Sequence, residues 1–191
     1  KNYKKKYFII LMKFKNKAIF LDRDGVVNKA IVKHGIPYPP NKLNDLFLYP
    51  EINKIISTLK KIGYFIIIVT NQPDVRRGIQ KKEIVEKIHE IIKLKINIDS
   101  IYTCYHDNHD NCECRKPKSG LLLQASYDFN LDLSKCWLIG DRWKDIDAGQ
   151  NVGCKTIFID HNYIERKPHK PSYTVKKLNQ MTLHVGIALR K

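Results

Sequence analysis

Five short apolar runs recur along this sequence: AIFLD (18–22), YFIIIVT (64–70), SIYTCY (100–105), CWLIG (136–140) and KTIFID (155–160). Nearly unbroken apolar runs of this length are what strands buried on both faces require. Helix candidates lie between them. Residues 50–61 place Ile52, Ile55, Ile56 and Leu59 on one face, and residues 81–95 do the same with Ile84, Val85, Ile88, Ile91 and Ile92. Residues 119–129 and 143–151 supply two more, the second followed by Gly153 as a helix stop. Strands joined through helices predict an α/β fold with a parallel sheet flanked by helices. In such sheets ligands bind beyond the carboxyl ends of the strands, so the residues just after each run are where chemistry is expected.

The chain has 191 residues, 43% hydrophobic and 28% charged, enough for the core of one compact domain and hardly for two. Lysine and arginine outnumber aspartate and glutamate by 35 to 19, giving a net charge of +16. The lysine blocks at 4–6, 60–61, 81–82 and 176–177 are scattered and lack interleaved aromatics, so they read as a generic basic surface, and no nucleic-acid partner is expected. The apolar run from Tyr7 to Met12 falls short of the roughly 7–15 residues of a signal h-region and the roughly 20 of a membrane span, and Lys13 and Lys15 interrupt it. Residues 1–15 therefore read as an N-terminal extension with Met12 as a candidate native start. The domain is expected over 16–178, and 179–191 form a tail with no assigned role. Neither a membrane nor a secreted location is expected, and five cysteines, three of them crowded between 104 and 114, suit thiolate chemistry in the cytoplasm better than a disulfide framework.

The strand ends collect a convergent set of side chains. FLDRDG delivers Asp22 and, two residues on, Asp24, with Gly25 permitting a tight turn. Such a pair can bind Mg²⁺, or divide nucleophilic attack from proton transfer; it also fits a plain Asp-Gly turn with solvated carboxylates. LIGDRWKDIDAG adds Asp141 and Asp145, which suit a hard cation's oxygen shell or, alternatively, the cap and first turn of a helix. IVTNQ adds Thr70, followed by Asn71 and Gln72.

In this order and at these strand ends, DxDG, a strand-terminal Thr, a Lys and GDxxxD resemble the haloacid-dehalogenase-like phosphohydrolases over residues 18–160. The resemblance implies a Rossmann-like sheet and Mg²⁺-dependent phosphomonoester hydrolysis through an aspartyl-phosphate. Asp22 is then the nucleophile and Asp24 the acid that protonates the leaving alcohol and later activates water. Mg²⁺ is held by the Asp22 carboxylate, the Asp24 backbone carbonyl and Asp141, with Asp145 joining directly or through water. Thr70 and Lys116 stabilise the transferring phosphoryl group, a reaction that asks mainly for positioning and positive charge.

The loop CYHDNHDNCECRKP (104–117) offers Cys104, His106, Cys112 and Cys114, a Cys3His set suited to closed tetrahedral zinc, with His109 in reserve. Disulfide and redox uses of these thiols fit a cytoplasmic chain less well. Zinc would fix a polar loop that has no core of its own and so aim Arg115 and Lys116. C-x-H…C-x-C-R-K-P narrows the resemblance to the zinc-containing histidinol-phosphate and heptose-bisphosphate phosphatases, which lack a separate cap domain. The intervals 28–50 and 71–100 are likewise too short for one. The resemblance implies an open pocket walled by the zinc loop and KAIVKHGIPYPP (29–40), with Asn71, Gln72, Arg115 and Lys116 meeting a small phosphorylated substrate. Removal of the 7-phosphate of D-glycero-D-manno-heptose 1,7-bisphosphate, in surface-polysaccharide precursor synthesis, is the favoured reaction over histidinol-phosphate hydrolysis. NQPDVRRG (71–78) departs from the usual form of that segment. A rival of another class is a zinc-bearing nucleic-acid binding module, which leaves the strand-end residues unexplained.

Overall fold

The computed structural model describes residues 16–187; the extension expected over 1–15 and residues 188–191 of the tail lie outside them. Each of the five apolar runs forms a strand: β1 (Lys17–Leu21), β4 (Tyr64–Asn71), β5 (Ser100–Cys104), β6 (Trp137–Gly140) and β7 (Lys155–Ile159). The helix candidates are α1 (Ile52–Lys61), α3 (Lys82–Lys95), α4 (Gly120–Phe129) and α5 (Trp143–Gln150). With β8 (Tyr173–Val175) the strands make one six-stranded sheet in the order β5-β4-β1-β6-β7-β8, every neighbouring pair parallel.

Strand alternation sorts the core into two layers. Ile19, Leu21, Ile66, Ile68, Trp137 and Ile139 share one face with Ile52, Ile56 and Leu59 of α1 and Ile88 and Ile92 of α3. Ala18, Phe20, Ile67, Val69 and Leu138 share the other with Leu121, Leu122 and Ala125 of α4. β1 is central, with β4 on one side and β6 on the other, so the chain leaves β1 at a point where the strand order switches direction. Leu21 pairs with both Ile68 and Ile139, which sets the ends of β1, β4 and β6 side by side.

Three elements depart from the sequence reading. KAIVKHGIPYPP was expected only as a wall, yet it forms a hairpin of β2 (Ile31–Lys33) and β3 (Ile36–Tyr38). His34 and Gly35 both have positive φ, 49° and 74°, which matches a two-residue hairpin turn to strand twist. A one-turn helix, α2 (Pro73–Arg76), opens the departing segment NQPDVRRG. Finally α6 (Met181–Ile187) carries Met181 and Val185 into the same buried layer as α1, so the packing continues past the boundary expected at residue 178. Two apolar residues a helical turn apart are too short a signal to separate a packed helix from a tail. Among the described residues no helix is long and apolar enough to cross a membrane.

Candidate active site

The end of β1 places Asp22 against β6, its backbone N–H donating to the Ile139 carbonyl at 2.9 Å. Carboxylate oxygens of Asp22, Asp141 and Asp145 lie within 4.8 Å of one another, and all three residues are buried. Two glycines make the approach feasible. Gly25, at φ +94°, stands where a Cβ would collide with the Asp141 carboxylate, and a Cβ at Gly140 would collide with Asp145. Lys116, 2% exposed, reaches into the cluster from the opposite side. Its ammonium donates to Asp22 Oδ1 at 2.6 Å and to the Val69 carbonyl at 2.7 Å, and lies 2.6 Å from Asp145 Oδ1. The one ammonium thus pairs with two of the three carboxylates and leaves Asp141 without it.

Burial raises the Asp22 carboxyl above its usual range against the opposing pull of Lys116, and burial together with Asp22 and Asp145 raises Asp141 well above its own. Both Asp141 carboxylate oxygens are buried without a well-formed hydrogen bond, although the Tyr163 hydroxyl lies near enough to act on the carboxylate. Orphaned oxygens beside two further carboxylates fit a hard divalent cation, and Asp22 and Asp141 would hold it. Asp145 is more committed: Oδ1 is paired with Lys116, and Oδ2 accepts from the Arg142 backbone N–H at 3.0 Å.

Asp24 stands outside that cluster. Its Oδ1 accepts from Arg23 Nε at 3.1 Å and Asn28 Nδ2 at 3.0 Å, and its Oδ2 from an Arg23 Nη at 2.9 Å and Gln72 Nε2 at 2.8 Å. The Arg23 charge and these donors hold its carboxyl below the usual range, overcoming burial. Gln72 is fully buried and also donates to the Thr70 hydroxyl at 2.8 Å. It therefore lies behind the pocket, tying Asp24 to Thr70, and does not line it as the expected substrate contact would require. Asn71 does line the pocket, and its amide is occupied in pinning the Lys116 backbone, accepting from its N–H at 3.1 Å and donating to its carbonyl at 3.0 Å.

The Cys/His loop leaves the end of β5. Sγ atoms of Cys104, Cys112 and Cys114 are separated by 3.2–3.7 Å, and His106 Nδ1 lies 3.7 Å from Cys104 and 3.2 Å from Cys114. A tetrahedron with metal–sulfur bonds of ~2.3 Å has edges of ~3.8 Å, so the four groups stand close to a zinc shell. His109 is exposed and outside the set. Arg115 is held by the same loop, donating to Asn108 Oδ1 at 2.9 Å and to the His106 carbonyl at 3.2 Å. The unusual segment 71–78 proves to be a tether: Arg76 pairs with Asp110 at 3.0 Å, and Arg77 with Asp107 at 2.7 Å.

A cavity of about 320 Å³ opens over these groups. Asp22, Asp24, Thr70, Asn71, Arg115, Lys116 and Asp145 line it, and Ile36, Pro37 and Tyr38 of the hairpin form a wall. Asp74 and Arg77 of the departing segment also line it, as do Arg142 and Lys144, which had not been singled out from the sequence. Arg142 is paired with Glu165 at 2.7 Å, whereas Lys144 has no acidic partner within 4.0 Å among the described residues. A basic pair on a helix start in RWKD resembles many solvated faces, so nothing local marked it. Arg23 and His89 were also missed. His89 was legible in principle, because it interrupts the isoleucine face of α3.

Comparison with known proteins decides the family. A heptose-1,7-bisphosphate 7-phosphatase of Helicobacter pylori, of the β-anomer, is 34% identical over 160 residues, covering 81% of this chain and 88% of the relative. The chain belongs to the heptose-bisphosphate phosphatase family of haloacid-dehalogenase-like hydrolases. An α-anomer 7-phosphatase of Campylobacter jejuni is 37% identical, with 76% of this chain and 83% of the relative covered. The HAD-hydrolase-like family model matches residues 113–181. The fold matches the crystal structure of a D,D-heptose 1,7-bisphosphate phosphatase from B. bronchiseptica, complexed with magnesium and phosphate, at a TM-score of 0.76 and 21% identity, covering 91% of this chain and 99% of that one. Like its relatives in this phosphatase family, the chain is an enzyme that hydrolyses phosphomonoesters.

Proposed function

We propose that the chain removes the 7-phosphate of D-glycero-D-manno-heptose 1,7-bisphosphate, using Asp22 as nucleophile. The observation that carries this reading is the placing of Asp22 on the floor of the pocket, bonded to Lys116 and grouped with Asp141 and Asp145, with Arg115 on the rim. The names of relatives more than 30% identical supply the substrate.

In this reading a carboxylate oxygen of Asp22 attacks phosphorus, the bond from phosphorus to the sugar oxygen breaks, and Asp24 delivers a proton to that oxygen. The Asp24 carboxylate then takes a proton from water as the water attacks the aspartyl-phosphate, freeing Asp22 and inorganic phosphate. Asp22 and Asp141, with the Asp24 carbonyl and Asp145 in support, would hold Mg²⁺, which would supply positive charge between the two anions. Lys116 and the Thr70 hydroxyl hold the phosphoryl oxygens, and Lys116 keeps Asp22 oriented while no phosphate is bound. Arg115, aimed by the zinc loop, takes the distal phosphate as a bidentate donor.

Phosphate release measured over heptose 1,7-bisphosphates of both anomers, histidinol phosphate and 5′-phosphorylated oligonucleotides tests the proposal. The heptose bisphosphates should be turned over with the highest kcat/KM and only with Mg²⁺, and Asp22→Asn should abolish turnover. Preference for histidinol phosphate or for an oligonucleotide would overturn the substrate assignment, and an active Asp22→Asn would overturn the mechanism.

A further inference from the structure

Arg23 stands between the two aspartates in the turn that follows β1, and its side chain reaches His89 of α3. It is completely buried, although an arginine removed from water carries a large desolvation penalty. Two of its nitrogens form a fork on the Asp24 carboxylate at 3.1 and 2.9 Å. A third, Nη1, lies 3.0 Å from Nε2 of His89, a buried residue of α3. Since the guanidinium can only donate, His89 Nε2 must accept, and the ring is neutral. The sheet, the helix layer and the carboxylate are thereby joined in one rigid chain of hydrogen bonds.

Nothing in the packing calls for this arrangement, because the face of α3 around His89 is otherwise Val85, Ile88 and Ile92. The chain of bonds does restrict Asp24. With Asn28 and Gln72 supplying one donor each, the fork completes four donors on two oxygens, so turning the carboxylate away would break bonds to a buried guanidinium. The fork also keeps Asp24 away from the cluster of Asp22, Asp141 and Asp145, where a fourth carboxylate would add to an unbalanced negative charge.

We propose that Arg23, braced by His89, is the positioning residue that holds Asp24 at the edge of the pocket for proton transfer to and from the substrate oxygen. This rests on the phosphatase reading above. The Asp24 carboxylate in the Arg23 fork takes a proton from the water that attacks the aspartyl-phosphate, and the carboxyl so formed gives that proton to the departing oxygen of the next substrate as its phosphorus–oxygen bond breaks, which returns the carboxylate to the fork. The bond to His89 fixes the fork's own angle, so a change at His89, remote from the pocket, should register in the chemistry at Asp24.

The test compares an alkyl phosphomonoester, whose leaving oxygen needs a proton, with p-nitrophenyl phosphate, whose leaving group does not. Asp24→Asn serves as the reference and should lower kcat on the alkyl ester by roughly 10²–10⁴ while slowing the aryl ester much less. Arg23→Met should show the same split with about a tenfold or greater loss on the alkyl ester and little change in KM. His89→Leu should follow in the same direction, and His89→Gln, which keeps an acceptor for Arg23, should recover toward wild type. Melting temperatures identify any variant that is simply unfolded, and the His89 pair carries the test if Arg23→Met does not fold. Equal losses on both esters, or none at all, in a folded variant would overturn the positioning role. An Asp24→Asn enzyme with no dependence on the leaving group would instead overturn the phosphatase reading on which the role stands.

Discussion

The Lys116 ammonium sits 2.6 Å from the Asp22 carboxylate in a site where the lysine is 2% exposed. Its charge opposes the burial that raises the Asp22 carboxyl beside Asp141 and Asp145. Removing one partner of a buried pair leaves an uncompensated charge, at a cost of about 3–5 kcal/mol. Lys116→Met should therefore lower both melting temperature and kcat. Mg²⁺ should raise the melting temperature of this variant more than that of wild type, because the cation then supplies the missing charge. Differential scanning calorimetry with and without Mg²⁺ checks this, and equal shifts in the two proteins would contradict it.

Arg115 and Lys144 line the same cavity but are held differently. Arg115 is locked by Asn108 and the His106 carbonyl, while Lys144, in the first turn of α5, has no acidic partner within 4.0 Å among the described residues. Arg115→Ala should raise KM for a bisphosphate roughly tenfold and narrow its advantage over the monophosphate, as loss of bidentate recognition away from the reacting centre does. Lys144→Ala should act in the same direction by a smaller factor. Steady-state kinetics on matched mono- and bisphosphates distinguishes these outcomes from a fall in kcat.

Cys104, His106, Cys112 and Cys114 should hold about one zinc per chain, since four ligands in a closed shell leave no place for substrate. Elemental analysis of the purified protein tests this directly. Cys112→Ser should loosen the loop that carries Arg115 and Lys116, lowering kcat/KM in a way that added Mg²⁺ does not restore. Fully active protein free of zinc would overturn the structural role.

His89 predicts a pH dependence of stability. Burial, followed by the Arg23 charge, lowers its pKa to about 3 from the ordinary 6.5. The unfolded chain therefore binds a proton that the folded chain refuses throughout the interval between those values, and stability falls as pH drops below about 6.5. The loss should be about 1 kcal/mol between pH 6.5 and 5.5. His89→Gln removes the titrating group, and its stability should be flatter over that range in urea melts.

The sheet was legible from sequence because its strands are short apolar runs, and burial on both faces leaves no other pattern for Ile66 to Val69 or Leu138 and Ile139 to adopt. Asp22, Thr70, Cys104 and Asp141 were legible for a related reason: in a parallel sheet the chemistry gathers where the strands stop. The Cys/His set announced itself by ligand type and spacing within one loop. Partnerships between distant elements had no such local record. Arg23 reads as one more cation until α3 brings His89 to 3.0 Å from it, 66 residues away in sequence. Gln72 reads as a pocket residue until its side chain turns inward to Asp24, and Met181 reads as tail until it packs beside α1. Local periodicity encodes which face of an element is apolar, so the sequence determined the layers and the strand-end residues. Which buried polar group meets which depends on helices docking across the sheet, and tertiary structure alone decided that.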